Sequence, residues 1–148
     1  MSRPTPRLVP AALGPLVALA LVGCGSSSPS ASQLQARATP ICKLAARRMS
    51  AIPAPTLPSG GARFLSQGIA ALGPELAQLR RLGSAGDYGD ALGATAAELH
   101  ALRSTLRGLR AGNDPVVAIK TLAQELSPIE VRADGDWHSL GVPACASL

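Results

Sequence analysis

The sequence predicts an all-α domain, folded as an antiparallel up-down four-helix bundle. Three observations predict it. Apolar residues recur at alternating four- and three-residue steps in four separate stretches, which aligns them on one face of a helix. Short segments rich in Pro, Gly, Asp and Asn, the residues that punctuate helices, divide the stretches. No stretch beyond residue 32 alternates apolar and polar residues as a half-buried strand does. Four amphipathic helices with short connections bury their apolar faces best by packing antiparallel around one core. A three-helix bundle with an N-terminal helical arm is the alternative.

The first helix is expected over 33–51, with Leu34, Ala38, Ile41 and Ala45 as its stripe. Thr39-Pro40 makes a good N-cap and first position, so a start at that pair is the alternative. The Pro-rich "IPAPTLPSGG", residues 52–61, ends the helix. The second helix carries Leu65, Ile69, Leu72, Leu76 and Leu79, with a kink expected at Gly73-Pro74 because an internal proline removes a backbone bond. After "LGSAGD", residues 82–87, the third is expected to start on Asp87 as its cap. Its stripe is Tyr88, Leu92, Thr95, Leu99, Leu102, Leu106 and Leu109, and Gly112 is placed as its C-terminal cap. Asp114-Pro115 opens the fourth helix in the favoured order of cap then proline. Its stripe is Ile119, Leu122, Leu126, Ile129 and Ala133, continued by Trp137 and Leu140, with a bend expected at Pro128. Gly68, Gly93 and Gly108 lie inside helices, where each costs about 1 kcal/mol relative to Ala and suggests close helix approach.

The chain has 148 residues, enough for one domain, and its 47% hydrophobic and 16% charged content excludes a disordered chain. Part of that apolar content precedes the domain. Arg3 and Arg7 lead into "LVPAALGPLVALALVG", residues 8–23, the charged and apolar regions of an export signal. The run is shorter than the roughly 20 residues of a membrane-spanning helix. It is also broken by Pro10, Gly14 and Pro15, and "GSSSPSAS" follows it without a basic flank. A removable signal is expected.

The residues "LVGC", Leu21 to Cys24, resemble the lipobox of bacterial lipoproteins. The resemblance implies that the Cys24 thiol receives a diacylglyceryl group and that the chain is cut just before it. Residues 1–23 are then a lipoprotein signal peptide, 24–32 a flexible tether and 33–148 the helical domain, on the outer face of the cytoplasmic membrane. An ordinary signal peptidase site near "ALVG" is the alternative.

With Cys24 taken as the anchor, Cys42 and Cys145 form an even pair in a compartment that permits disulfides. Their bridge would close almost the whole domain, worth about 4–5 kcal/mol in the chain-entropy model. An up-down bundle brings the start of its first helix beside the end of its fourth, so topology and cysteine placement agree independently. Two free buried thiols are the alternative; a metal site lacks a completing His or second Cys pair. The lipobox, "IC" in the first helix, "ELAQLRRL" (Glu75–Leu82) and "LGVPAC" (Leu140–Cys145) together resemble a group of small exported helical-bundle lipoproteins of high-GC Actinobacteria. That resemblance implies the architecture and no mechanism.

The formal charge is +5, and removing 1–23 leaves 12 basic against 9 acidic residues, or +3. This mild balance and a single Trp, Tyr and Phe argue against a nucleic-acid partner. In "EVRADGDWH", residues 130–138, Glu130, Asp134 and His138 stand four apart beside Asp136, a set that could hold a divalent metal or do acid–base work. Against it, Gly135 can break the helix, and Glu98-Leu99-His100 lacks the Glu-x-x-His spacing of bundle metal sites. Arg47, Arg48, Arg63, Arg103, Arg107, Arg110 and Lys120 are gathered by the topology at the end remote from the anchor, a candidate anion-binding tip. Complementation of helix dipoles explains Arg47, Arg48, Arg107 and Arg110, and Asp87 and Asp90 at the other end, but not Arg63 and Lys120 near helix starts. The expected role is a non-enzymatic binding or scaffolding module with no cofactor. Its partners are the membrane, through the lipid anchor, and an anionic envelope polymer or envelope protein. The competing class is a metal-dependent or acid–base enzyme built on Glu130, Asp134 and His138.

Overall fold

The computed structural model describes residues 30–146; the signal segment and Cys24 with its lipobox lie outside the described residues. Four helices follow in order: α1 Ala31–Ser50, α2 Gly61–Arg80, α3 Gly86–Arg110 and α4 Pro115–Ser139. Short 3₁₀ turns at Pro58–Gly60 and Pro143–Cys145 precede α2 and close the chain. Among the described residues there is no strand. No helix of these residues is long and apolar enough to cross a membrane.

α1 starts two residues earlier than 33, which shortens the expected tether. The cause is a reciprocal capping box: the Ser30 hydroxyl accepts from the Gln33 amide at 3.3 Å, and the Gln33 side chain accepts from the Ser30 amide at 3.1 Å. Thr39-Pro40 is interior, not a start. Pro40, Pro74 and Pro128 all lie within continuous helices. Each is exposed, and so is the residue four before it (Ala36, Ala70, Gln124), whose carbonyl loses its helical donor. Water reaches those carbonyls, which is why the helices continue.

Asp87 is not the cap of α3. That position is Ala85, with no side-chain bond, and Asp87 lies in the first turn, where its charge complements the helix dipole. At the other end, Gly112 takes φ 96° and the amides of Gly112 and Asn113 bond the Leu109 and Gly108 carbonyls, a Schellman motif. α4 ends the same way, with Gly141 at φ 70° and the Val142 amide on the Trp137 carbonyl. Asp114 caps α4 as expected, its Oδ1 accepting from the Val117 amide at 2.9 Å.

α2 packs on α1 and α3, and α3 on α4; the C-terminal 3₁₀ turn packs on both α1 and α4 and fills the remaining side. The Cys42–Cys145 disulfide fastens that side, with Cα atoms 4.9 Å apart, and Gln35 Nε2 donates to the Leu140 carbonyl at 3.0 Å. The expected leucine stripes are the core. Trp137, Leu79, Val142 and Cys42 are its largest fully buried side chains, and Tyr88 meets Trp137 edge-on with ring centroids 5.6 Å apart. Of the three helical glycines, Gly68 approaches another helix, since a Cβ there would stand 3.7 Å from Met49 Cε. Gly93 faces open space and Gly108 meets Asn113 of its own cap, so the close-approach expectation fails at both.

Candidate functional site

The 51–60 connection folds back over the end of the bundle remote from Ser30 and delivers the chain into α2. Gly61, first in α2, faces α4: a Cβ there would stand 3.6 Å from Ile119. Next to that approach lies a groove of about 700 Å³. One wall is Pro55, Leu57 and Phe64, the other Val116, Ile119 and Leu126, with Leu65, Leu102 and Leu122 buried at its base. Leu57 and Val116 are 66% and 60% exposed, so apolar side chains face water at its mouth. Lys120 lines the groove, and no acidic residue does.

The seven basic residues separate by where their heads go. All are exposed. The Arg47 Nε donates to the Lys43 carbonyl of its own helix at 3.3 Å. Arg48 acts electrostatically on Glu75. The Arg103 guanidinium lies over Gly73 on α2, 3.5 Å from where a Cβ would stand. Arg107 and Arg110 occupy the last turn of α3. Arg63 lines a second cleft that shares Pro55, Leu57 and Phe64 with the groove. Lys120 and Arg63 are thus the two that flank apolar walls, and they are the two that helix dipoles do not explain.

Of the Glu130, Asp134 and His138 set, all three are exposed. The His138 Nδ1 lies 2.8 Å from the Asp134 carbonyl, bonded to its own helix. Glu130 and Asp134 instead line a cleft of about 300 Å³ with Thr95, Glu98 and Cys145. Burial first, then the charges of Glu130 and Asp134, push the Glu98 carboxyl up to about 7. Asp136 lines a separate cleft between α3 and α4. Among the described residues no group of three or more His, Cys, Asp or Glu is placed to hold a metal ion.

One more carboxylate stands apart. Glu75 is 2% exposed between α1 and α2, and its Oε2 has no hydrogen-bond partner. Desolvation raises its pKa, opposed by Arg48 and the Ala45 backbone.

Compared with known proteins, the chain matches no family model, no curated protein and no solved structure.

Sequence reasoning missed the groove and Glu98. The groove had a signal in Leu57 within a Pro-rich connection and in Val116-Val117, apolar residues off the α4 stripe. Glu98 stands three residues after Thr95 and beside Leu99, on the flank of a buried stripe. That position half-buries a carboxyl, but its acidic neighbours belong to another helix.

Proposed function

We propose that the chain is a cell-envelope lipoprotein, anchored through Cys24 to the outer face of the cytoplasmic membrane, that acts as a non-enzymatic binding module. It belongs in this reading with the small exported helical-bundle lipoproteins its motifs resemble. The observation that supports binding is the apolar groove at the end of the bundle remote from Ser30. Its walls expose Leu57 and Val116 to water beside Lys120, and its base is the buried core itself at Leu65, Leu102 and Leu122. Concave, mostly apolar sites of 300–1,000 Å³ with few polar groups are the usual form of small-molecule sites. The candidate basic tip narrows to Lys120 and Arg63, which border that surface.

The competing acid–base reading draws on the acidic cleft, where Glu98 holds its proton close to neutral pH. His138 is turned to its own helix backbone, which leaves those carboxylates without the expected imidazole partner.

Two measurements test the proposal. Intact mass of the protein purified from its native membrane is expected to show a chain starting at Cys24 with a diacylglyceryl group. A soluble, unlipidated chain overturns the anchor. Titration of the mature chain with the neutral fluorophore N-phenyl-1-naphthylamine is expected to give saturable one-to-one enhancement, abolished by Val116→Asp. Val116 is exposed, so the substitution spares the core. No enhancement, or enhancement indifferent to the substitution, overturns the groove as the binding surface.

A further inference from the structure

We infer that the groove takes one long-chain fatty carboxylate, its acyl chain between α2 and α4 and its head at Lys120 and Arg63. The inference rests on the binding-module reading and names its ligand class. Three features point to it. The walls are aliphatic apart from Phe64 and the single hydroxyl of Thr56, and Lys120 brings the charge that lines them. A rigid polar ligand would find no converging set of hydrogen-bonding groups there, whereas a flexible alkyl chain needs none. Neither the groove nor the adjoining cleft with Arg63 has an acidic lining residue, so the two cations act on the opening uncompensated from within it. The complementary ligand is apolar along its length and negative at one end.

The chain's own N-terminus does not provide this ligand. Cys24 precedes Ser30 by six residues, about 20 Å at full extension. The twenty residues of α1, a length of about 30 Å, separate Ser30 from the connection that lines the groove. The acyl chains on a lipidated Cys24 would add to that reach, but they are ester-linked and offer no free carboxylate to Lys120, so the occupant is a separate molecule.

The test uses residues 24–148 with Cys24→Ser, which removes the anchor and leaves intact the core, caps and disulfide within 30–146. After stripping of bound lipid, saturated fatty acids of increasing length compete with N-phenyl-1-naphthylamine. Affinity is expected to rise about fourfold per added methylene until the groove is filled. A carboxylate is expected to bind about fivefold tighter than the alcohol of equal length, a margin lost on Lys120→Glu and in high salt. Fluorophore binding with no preference for carboxylate over alcohol overturns the ligand class and leaves the binding module standing. No binding of either probe, in protein whose buried Trp137 emission reports a folded core, overturns both readings. Preference for vesicles of anionic phospholipid over the monomeric fatty acid also overturns the inference, because it would make the groove a bilayer contact.

Discussion

The indole Nε1 of Trp137, on α4, donates to the hydroxyl of Thr95, on α3, at 3.1 Å, and that hydroxyl donates in turn to the Ala91 carbonyl at 3.1 Å. Trp137 is fully buried and Thr95 nearly so, which makes the pair a dry polar relay between two helices. Thr95→Val keeps the shape but strands the indole N–H. We expect a loss of about 1–3 kcal/mol, read by urea unfolding through Trp137 fluorescence. Trp137→Phe, followed by circular dichroism, removes packing as well. The double variant should lose less than the sum, because no donor remains to be stranded. Additive losses would show that the bond does not couple the helices.

The disulfide joins residues 103 apart and holds the C-terminal turn against α1. Replacing Cys42 and Cys145 together by Ser is expected to lower stability by about 4–5 kcal/mol, the chain-entropy figure for a loop of this size. The lower urea midpoint of the variant checks it. An unchanged midpoint would mean that packing of Val142 and Ala146 alone closes the bundle.

Glu98 predicts a pH dependence of definite sign. Its native pKa of about 7 lies above the ordinary 4.5 of a free glutamate, so the folded chain keeps a proton that the unfolded chain releases. This group's contribution is fully present below pH 4.5 and is lost as pH rises to about 7, after which the curve levels. The loss amounts to up to about 3 kcal/mol, at 1.36 kcal/mol per pKa unit. Glu98→Gln should match the parent at pH 4.5 and exceed it at pH 8, by thermal unfolding at both values. Parallel curves would refute the assignment.

Gly93 sits mid-α3 with nothing within 4 Å of where a Cβ would stand. Gly93→Ala should therefore stabilise the fold by about 1 kcal/mol through helix propensity alone. Gly68→Ala should gain at least as much, since its Cβ would add ordinary packing contact with Met49 Cε at 3.7 Å. Urea titrations of the two variants separate propensity from packing.

Much of the fold was legible because helices advertise themselves locally. A stripe such as Tyr88, Leu92, Thr95, Leu99, Leu102 needs no knowledge of partners, and all five are buried. Asp114-Pro115 and Gly112 are likewise local signals, each acting on backbone groups a few residues away. Ser30 and Gln33 carry a signal of the same kind, obscured because Ser30 belongs to the Ser-rich run "GSSSPSAS", whose composition is that of a tether. The cysteine pair was legible because removing Cys24 from the count left one pairing, and the topology then demanded it.

The sequence by itself determined four helices, their inward faces, the ends of most of them and the partner of Cys42. Only the tertiary structure decided what stands between helices: the Thr95–Trp137 bond, the meeting of Glu98 with Glu130 and Asp134, and the groove beneath the 51–60 connection. Periodicity sets which face of a helix turns inward. The rotation and axial offset of one helix against another come from how side chains interlock across the core. A shift of one residue along α4 would exchange the neighbours of Glu98 and Leu65 while leaving every stripe apolar, so composition and spacing alone could not place the groove or the cleft.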